Sequence, residues 1–285
     1  MTLFGFSLLL IAAWLHVFWN LLLKRMEGSV VILWLGFTLG STPFLPLLLF
    51  HLPIPARVWP LILASSLFEA VYLVALSGAY QRDDFTLVYP IARGAAPGLL
   101  AVWSVLFLKE MPTLAGFGGL ALIILGLIIV GSSKLWETGW RSGRDRSGLA
   151  LAGLVSVTIS GYTVIDGAAV KWMDALSYTI LVTFLAALLA APFLLKRIGW
   201  RQMQHEFQRH WRISGLIGVI MLVTYTLVLY VYHFSVVAYA GAIREVSIVF
   251  GALAGWLWLK EKLGAVRIVG ALVIFCGIVV ILLAG

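Results

Sequence analysis

Apolar stretches of about 20 residues recur along the chain between short polar gaps, each long enough to cross about 30 Å of hydrocarbon. The pattern predicts helices over 3–23, 29–50, 60–80, 86–107, 113–132, 148–168, 176–195, 213–233, 236–258 and 264–284. Helix is the expected conformation because a spanning segment must satisfy its backbone hydrogen bonds internally. Two gaps are long, Lys134–Arg146 and Lys196–Arg212, and the first lies near the middle. The chain divides there into residues 1–133, a connection over 134–147, and residues 148–285.

The two parts repeat one another. A shift of 151 positions, with no gap, lays Arg93 on Arg244, Ala101 on Ala252 and Leu106 on Leu257. It also lays Leu108-Lys109-Glu110 on Leu259-Lys260-Glu261, Gly119 on Gly270 and Gly126 on Gly277. Apolar composition would match leucines by chance, but not an intramembrane arginine, a charged pair and two glycines in register. Five helices per repeat is an odd number, so the second half enters the membrane with the opposite orientation. The expected fold is an all-α membrane protein of ten transmembrane helices in two inverted five-helix repeats, with a solute site near the midplane between them.

Composition agrees, with 62% apolar and 11% charged residues, where a soluble domain carries about 25% charged. The net charge of +8 sits in the gaps and forms no basic groove, so nucleic acid is not an expected partner. Fourteen Lys and Arg fall in gaps after odd-numbered helices, against Arg57, Lys109 and Lys171 after even-numbered ones. That asymmetry places the first set in the cytoplasm and both termini in the periplasm. The first apolar run lacks a basic leader and a small-residue cleavage site, and reads as a retained helix. The single cysteine, Cys276, cannot form an internal disulfide and reads as a packing residue.

The two halves, each closing with Leu-Lys-Glu and a glycine-spaced final helix, resemble the EamA family of the drug/metabolite transporter superfamily. Trp19-Asn20 in the first helix fits the same pattern. The motifs Tyr89-Pro90-Ile91-Ala92-Arg93-Gly94 and Arg244-Glu245-Val246-Ser247 look like a subgroup associated with phosphonate utilisation. The resemblance implies ten helices around a central cavity, alternating access, and transport of amino acids, sugar phosphates or other metabolites across a bacterial inner membrane. It also implies cytoplasmic termini, the opposite of the charge count.

Ionisable groups in hydrocarbon are costly and are kept for pairing, binding or coupling. Glu69, Arg93, Arg244 and Glu245 lie well inside apolar segments. The two arginines are repeat mates and should face one cavity, where paired guanidinium donors suit a phosphate, phosphonate or carboxylate. Glu69 and Glu245 either neutralise them in structural ion pairs or release them to solute, and Glu69 could then carry a coupling proton. His16 and Asn20 share a helix face with Trp19 beside them, and Tyr162 sits comparably in the sixth helix. Tyr89 is the preferred aromatic contact because Pro90 should loosen the helix next to Arg93. Asp166 falls near a helix end, where solvent would stabilise its charge. Tyr72, Trp103, Tyr225, Tyr230 and Tyr239 could also line a cavity.

Lys109-Glu110 and Lys260-Glu261 read as interfacial structural pairs. The seven-residue spacing of Gly119/Gly126 and Gly270/Gly277 reads as close helix packing, within the chain or in a homodimer. No Walker loop, metal cluster or catalytic triad is present, so neither cofactor nor metal is expected. The leading expectation is a secondary transporter of a small polar, anionic metabolite. A non-transporting scaffold or sensor is the alternative, and an intramembrane enzyme on lipid-linked substrates is a further one.

Overall fold

The computed structural model describes residues 1–26, 30–81, 85–138, 145–251, 253 and 265–284. Within these, residues 76–81, 85–94, 131–138 and 145–149 are described by backbone alone, as are Lys24, Arg267 and Ala284. Among the described residues all regular structure is helical. The elements are α1 (Leu3–Arg25), α2 (Val30–Ser41), α3 (Trp59–Gln81), α4 (Phe85–Phe107), α5 (Leu114–Thr138), α6 (Asp145–Ala169), α7 (Ala175–Ile198), α8 (Trp200–Tyr232), α9 (Val237–Arg244) and α10 (Ala265–Ala284). Six stretches are long and apolar enough to cross a membrane: Leu3–Leu23, Val30–His51, Ala56–Ala75, Ala150–Ala169, Ala175–Ile198 and Trp200–Tyr232. Shorter apolar helices occupy Ala95–Phe107, Leu114–Val130 and Ile268–Leu283.

Among the described residues helix falls on every predicted segment, but three depart from the expected form. The second is α-helical only to Ser41 and continues as a 3-10 helix over Thr42–His51. Pro43 and Pro46 have no N–H to donate four residues back, so the tighter winding replaces the α-helix there. The eighth begins at Trp200 rather than 213, because the polar stretch before it is itself helical. At 33 residues it measures about 50 Å, and its basic first turns extend beyond a hydrocarbon layer of about 30 Å. Gly199, at φ 91°, turns the chain between α7 and α8 in a region that favours glycine. The ninth stops at Arg244 and resumes over residues 247–251. The N–H groups of Glu245 and Val246 bond three residues back, to Ala242 and Ile243. By contrast, α4 runs unbroken through Pro90. Helix also extends into the central connection from both sides, to Thr138 and from Asp145.

The exterior is apolar and the interior partly polar. Leu114, Leu283 and Leu3 are more than three-quarters exposed, whereas Ser65, Ser104, Asp166 and Thr179 are inaccessible. Such a distribution fits a lipid solvent and not water. Cys276 is exposed on α10 beside exposed Phe275, so it packs on no core, contrary to the packing role expected of it.

Small residues set the closest crossings, as in helix pairs without a hydrophobic driving force. On α5 and α10, a Cβ at Gly126 would lie 2.7 Å from the Gly270 carbonyl, and one at Gly277 would lie 2.6 Å from the Gly119 carbonyl. The four repeat-matched glycines therefore pack on each other within one chain, and that face is not available to a second copy. On α2 and α8, a Cβ at Gly40 would lie 2.5–2.7 Å from Gly218 backbone atoms. Packing partners exchange under the 151-residue shift: α2 packs on α8 as α7 packs on α3, and α1 on α8 as α6 on α3.

Candidate functional site

Six helices, α1, α2, α3, α6, α7 and α8, and the broken end of α9 line a cavity of about 120 Å³. A bound water needs about 10–15 Å³ on this scale, so the space admits several waters or a small solute. His16, Trp19 and Asn20 of α1 form one wall; Glu69 and Tyr72 of α3 and Tyr162 of α6 form the next. Thr224 and Tyr225 of α8 and Arg244 at the end of α9 complete the polar lining, and Thr183 of α7 touches it.

On α1, the four-residue spacing brings His16 and Asn20 to the same face. Asn20 Nδ2 donates to the His16 carbonyl at 2.6 Å, and the His16 and Trp19 rings meet edge to face at 4.9 Å. A chain of edge-to-face tyrosines continues the wall, with Tyr72–Tyr162 centroids 6.4 Å apart and Tyr162–Tyr225 6.2 Å apart. These rings give an apolar lining with phenolic oxygens at intervals, a surface suited to small polar solutes.

The charges are arranged unevenly. Arg244 is 6% exposed, and its Nη2 lies 3.7 Å from Glu245 Oε1. That is ion-pair range but beyond a hydrogen bond, and among the described residues the Arg244 Nε donates to nothing. Glu69 is equally buried, and its Oε2 accepts from nothing among the described residues. Glu69 therefore pairs with no arginine among the described residues. Among the described residues the cavity holds one guanidinium and one carboxylate, each with hydrogen-bonding capacity to spare. Breaking the helix after Arg244 ends α9 at the cavity wall, the kind of discontinuity that brings polar groups to a midplane site.

Beneath the cavity lies a group that sequence reasoning placed in solvent. Asp166 is wholly inaccessible. Its Oδ1 accepts from Ser65 Oγ at 2.5 Å and from Tyr178 Oη at 2.7 Å, and its Oδ2 accepts from Tyr225 Oη. The helix does end three residues later, but α3, α7 and α8 close over that end and supply three hydroxyl donors in place of water. Four-residue spacing to Tyr162 on α6 is the signal that could have flagged it. Tyr225 joins this buried carboxylate to the cavity lining.

Of the other residues expected at the site, Glu245 stands behind Arg244 rather than in the lining. Arg93 and Tyr89 lie on α4, and their side chains are outside the described residues. Trp103 Nε1 instead donates to Ser160 Oγ at 3.2 Å. Tyr230 is half exposed on the outer face of α8. Among the described residues no group of three His, Cys, Asp or Glu could hold a metal ion.

A solved crystal structure of a protein superposes on this fold with a TM-score of 0.75, over 98% of this chain and 96% of its own, at 17% identity. No curated protein sequence matches the chain. Residues 146–283 match the model of the EamA-like transporter family. This multi-helix membrane protein is thus similar, over residues 146–283, to a family of transporters.

Proposed function

We propose that the protein is a secondary transporter of a small polar metabolite with an anionic group, bound in the cavity between two inverted five-helix repeats. The observation that carries this reading is the convergence of His16, Trp19, Asn20, Glu69, Tyr162 and Arg244, from four helices, on one cavity. The Arg244 guanidinium would take a carboxylate, phosphate or phosphonate by paired hydrogen bonds, joined by its repeat mate Arg93. Glu69 would take the ammonium of a zwitterionic solute or a coupling proton. The reciprocal packing of repeat-related helices supports the inverted-repeat reading, since a two-fold axis in the membrane requires it. Alternating access would then rock one half against the other around this site, in a bacterial inner membrane.

A panel of phosphonates, phosphate esters, amino acids and nucleotides, tested for thermal stabilisation of the purified protein, checks the reading. At least one class is expected to raise Tm, because a ligand that binds only the folded state stabilises it by mass action. Arg244→Gln should lose that response while remaining folded. If Arg244→Gln responds as the parent does, the anion site is wrong. If no solute acts at any concentration, the scaffold alternative replaces transport.

A further inference from the structure

The charged pair that closes the fourth helix does more than seat it at the interface. After Phe107 the chain turns back on itself, with the Leu108 and Glu110 N–H groups both bonding to the Ser104 carbonyl at 3.1 and 3.2 Å. Lys109 adopts φ 55°, the left-handed position that usually falls to glycine after a helix. A non-glycine residue held there marks a conformation fixed by its surroundings. The turn sends Glu110 across to the second half, where Oε1 and Oε2 accept the Val237 N–H at 3.0 and 2.9 Å. Ser104 Oγ donates to the same carboxylate.

Val237 is the first residue of α9, and its N-cap, Val236, has no side chain able to cap. A carboxylate 127 residues away therefore fills the cap and faces the positive end of the helix dipole. The same connection holds α9 a second time: the Thr113 N–H donates to Tyr239 Oη at 2.9 Å. All eight residues of α9 are buried, so the helix has no slack along its length of about 10 Å. Its far end is Arg244.

We propose that Glu110 is a positioning residue for Arg244. It sets the axial and rotational placement of α9, and through that rigid helix the placement of the guanidinium in the cavity. Releasing this cap from the first half would free α9 to move relative to α1, α4 and α8. The proposal rests on the solute-site reading only for its purpose; the mechanical link is independent of any solute.

The test uses the full-length protein with Cys276→Ser, carrying either Arg244→Cys on α9 or Thr224→Cys on α8 as a cavity reporter. The rate of reaction with a water-soluble maleimide is read for each, with no solute present. Adding Glu110→Ala is expected to change the rate at position 244 by about fivefold or more, the population shift that losing one helix cap allows. The rate at 224 should stay within about twofold. Glu110→Gln keeps an acceptor for the Val237 N–H and should preserve the parent rate at 244. If Glu110→Ala yields no monodisperse protein, Glu110→Asp, one methylene short of Val237, decides in its place. Unchanged rates at 244, or equal changes at 244 and 224, overturn the proposal. Failure of the solute panel would leave this result standing, and the reverse also holds.

Discussion

Arg244 and Glu245 approach to 3.7 Å with both side chains almost inaccessible, so each charge contributes to compensating the other. Removing one member of such a pair leaves the other less well compensated in a medium that solvates it poorly, at a cost of about 3 kcal/mol. Arg244→Ala is therefore expected to lower stability by that order, and Arg244→Ala/Glu245→Ala to recover most of it, as measured by reversible unfolding in mixed micelles. Equal losses in the single and double variants would show that the pair is not coupled. At Asp166 the prediction follows from counting donors. Two hydroxyls address Oδ1 and one addresses Oδ2, whereas asparagine offers one oxygen that accepts. Asp166→Asn should strand at least one hydroxyl and cost about 1–3 kcal/mol; Asp166→Ala, which strands all three, should cost more. The ionisable residues in the middle of apolar runs, Glu69 and Arg244, were legible from sequence because hydrocarbon penalises them unless they act. Asp166 was not, because its burial comes from α3, α7 and α8 folding over a helix end that looks open in sequence.

Among the elements, glycine acts in two physically distinct ways that substitution can separate. At Gly126 a Cβ would lie 2.7 Å from the Gly270 carbonyl, so Gly126→Ala must push α5 and α10 apart, at about 1–3 kcal/mol. At Gly199 nothing lies within 4 Å, but φ is 91°, so Gly199→Ala meets only backbone strain, about 1 kcal/mol. Because Gly126 and Gly270 guard the same contact, the loss in Gly126→Ala/Gly270→Ala should be less than the sum of the single losses. The matching loss for Gly126→Ala/Gly199→Ala should be additive; melting temperatures of the five variants and the parent check both. The seven-residue spacing announced close packing, and hydropathy announced where helix would form. Neither revealed that the glycines of α5 meet those of α10, since periodicity fixes a helix face and not its neighbour. The break after Arg244 was likewise hidden. No proline or glycine marks residues 245–246, and the departure is a local rewinding to three-residue bonds that packing imposes.

For the molecule as a whole, the distribution of basic residues bears on orientation. The polar first turns of α8, with Arg201, Arg209 and Arg212, project past the apolar span, and the charge rule puts such residues in the cytoplasm. In a Cys276→Ser background, His205→Cys is expected to react with an impermeant maleimide in inside-out vesicles and to be protected in right-side-out ones. The opposite pattern would place the termini in the cytoplasm, as in the relatives that the chain resembles. The sequence by itself determined the helical, lipid-embedded class of the protein and the positions of its segments. Hydrocarbon tolerates only internally bonded backbone and few charges, and those constraints act on each segment locally. Only the tertiary structure decided which polar groups meet. It gathered His16, Asn20, Glu69 and Arg244 around one cavity, sealed Asp166 beneath it and set Glu110 on the start of α9. Those meetings depend on how helices far apart in sequence rotate and cross, which is settled by side-chain fit between them and is written in no single segment.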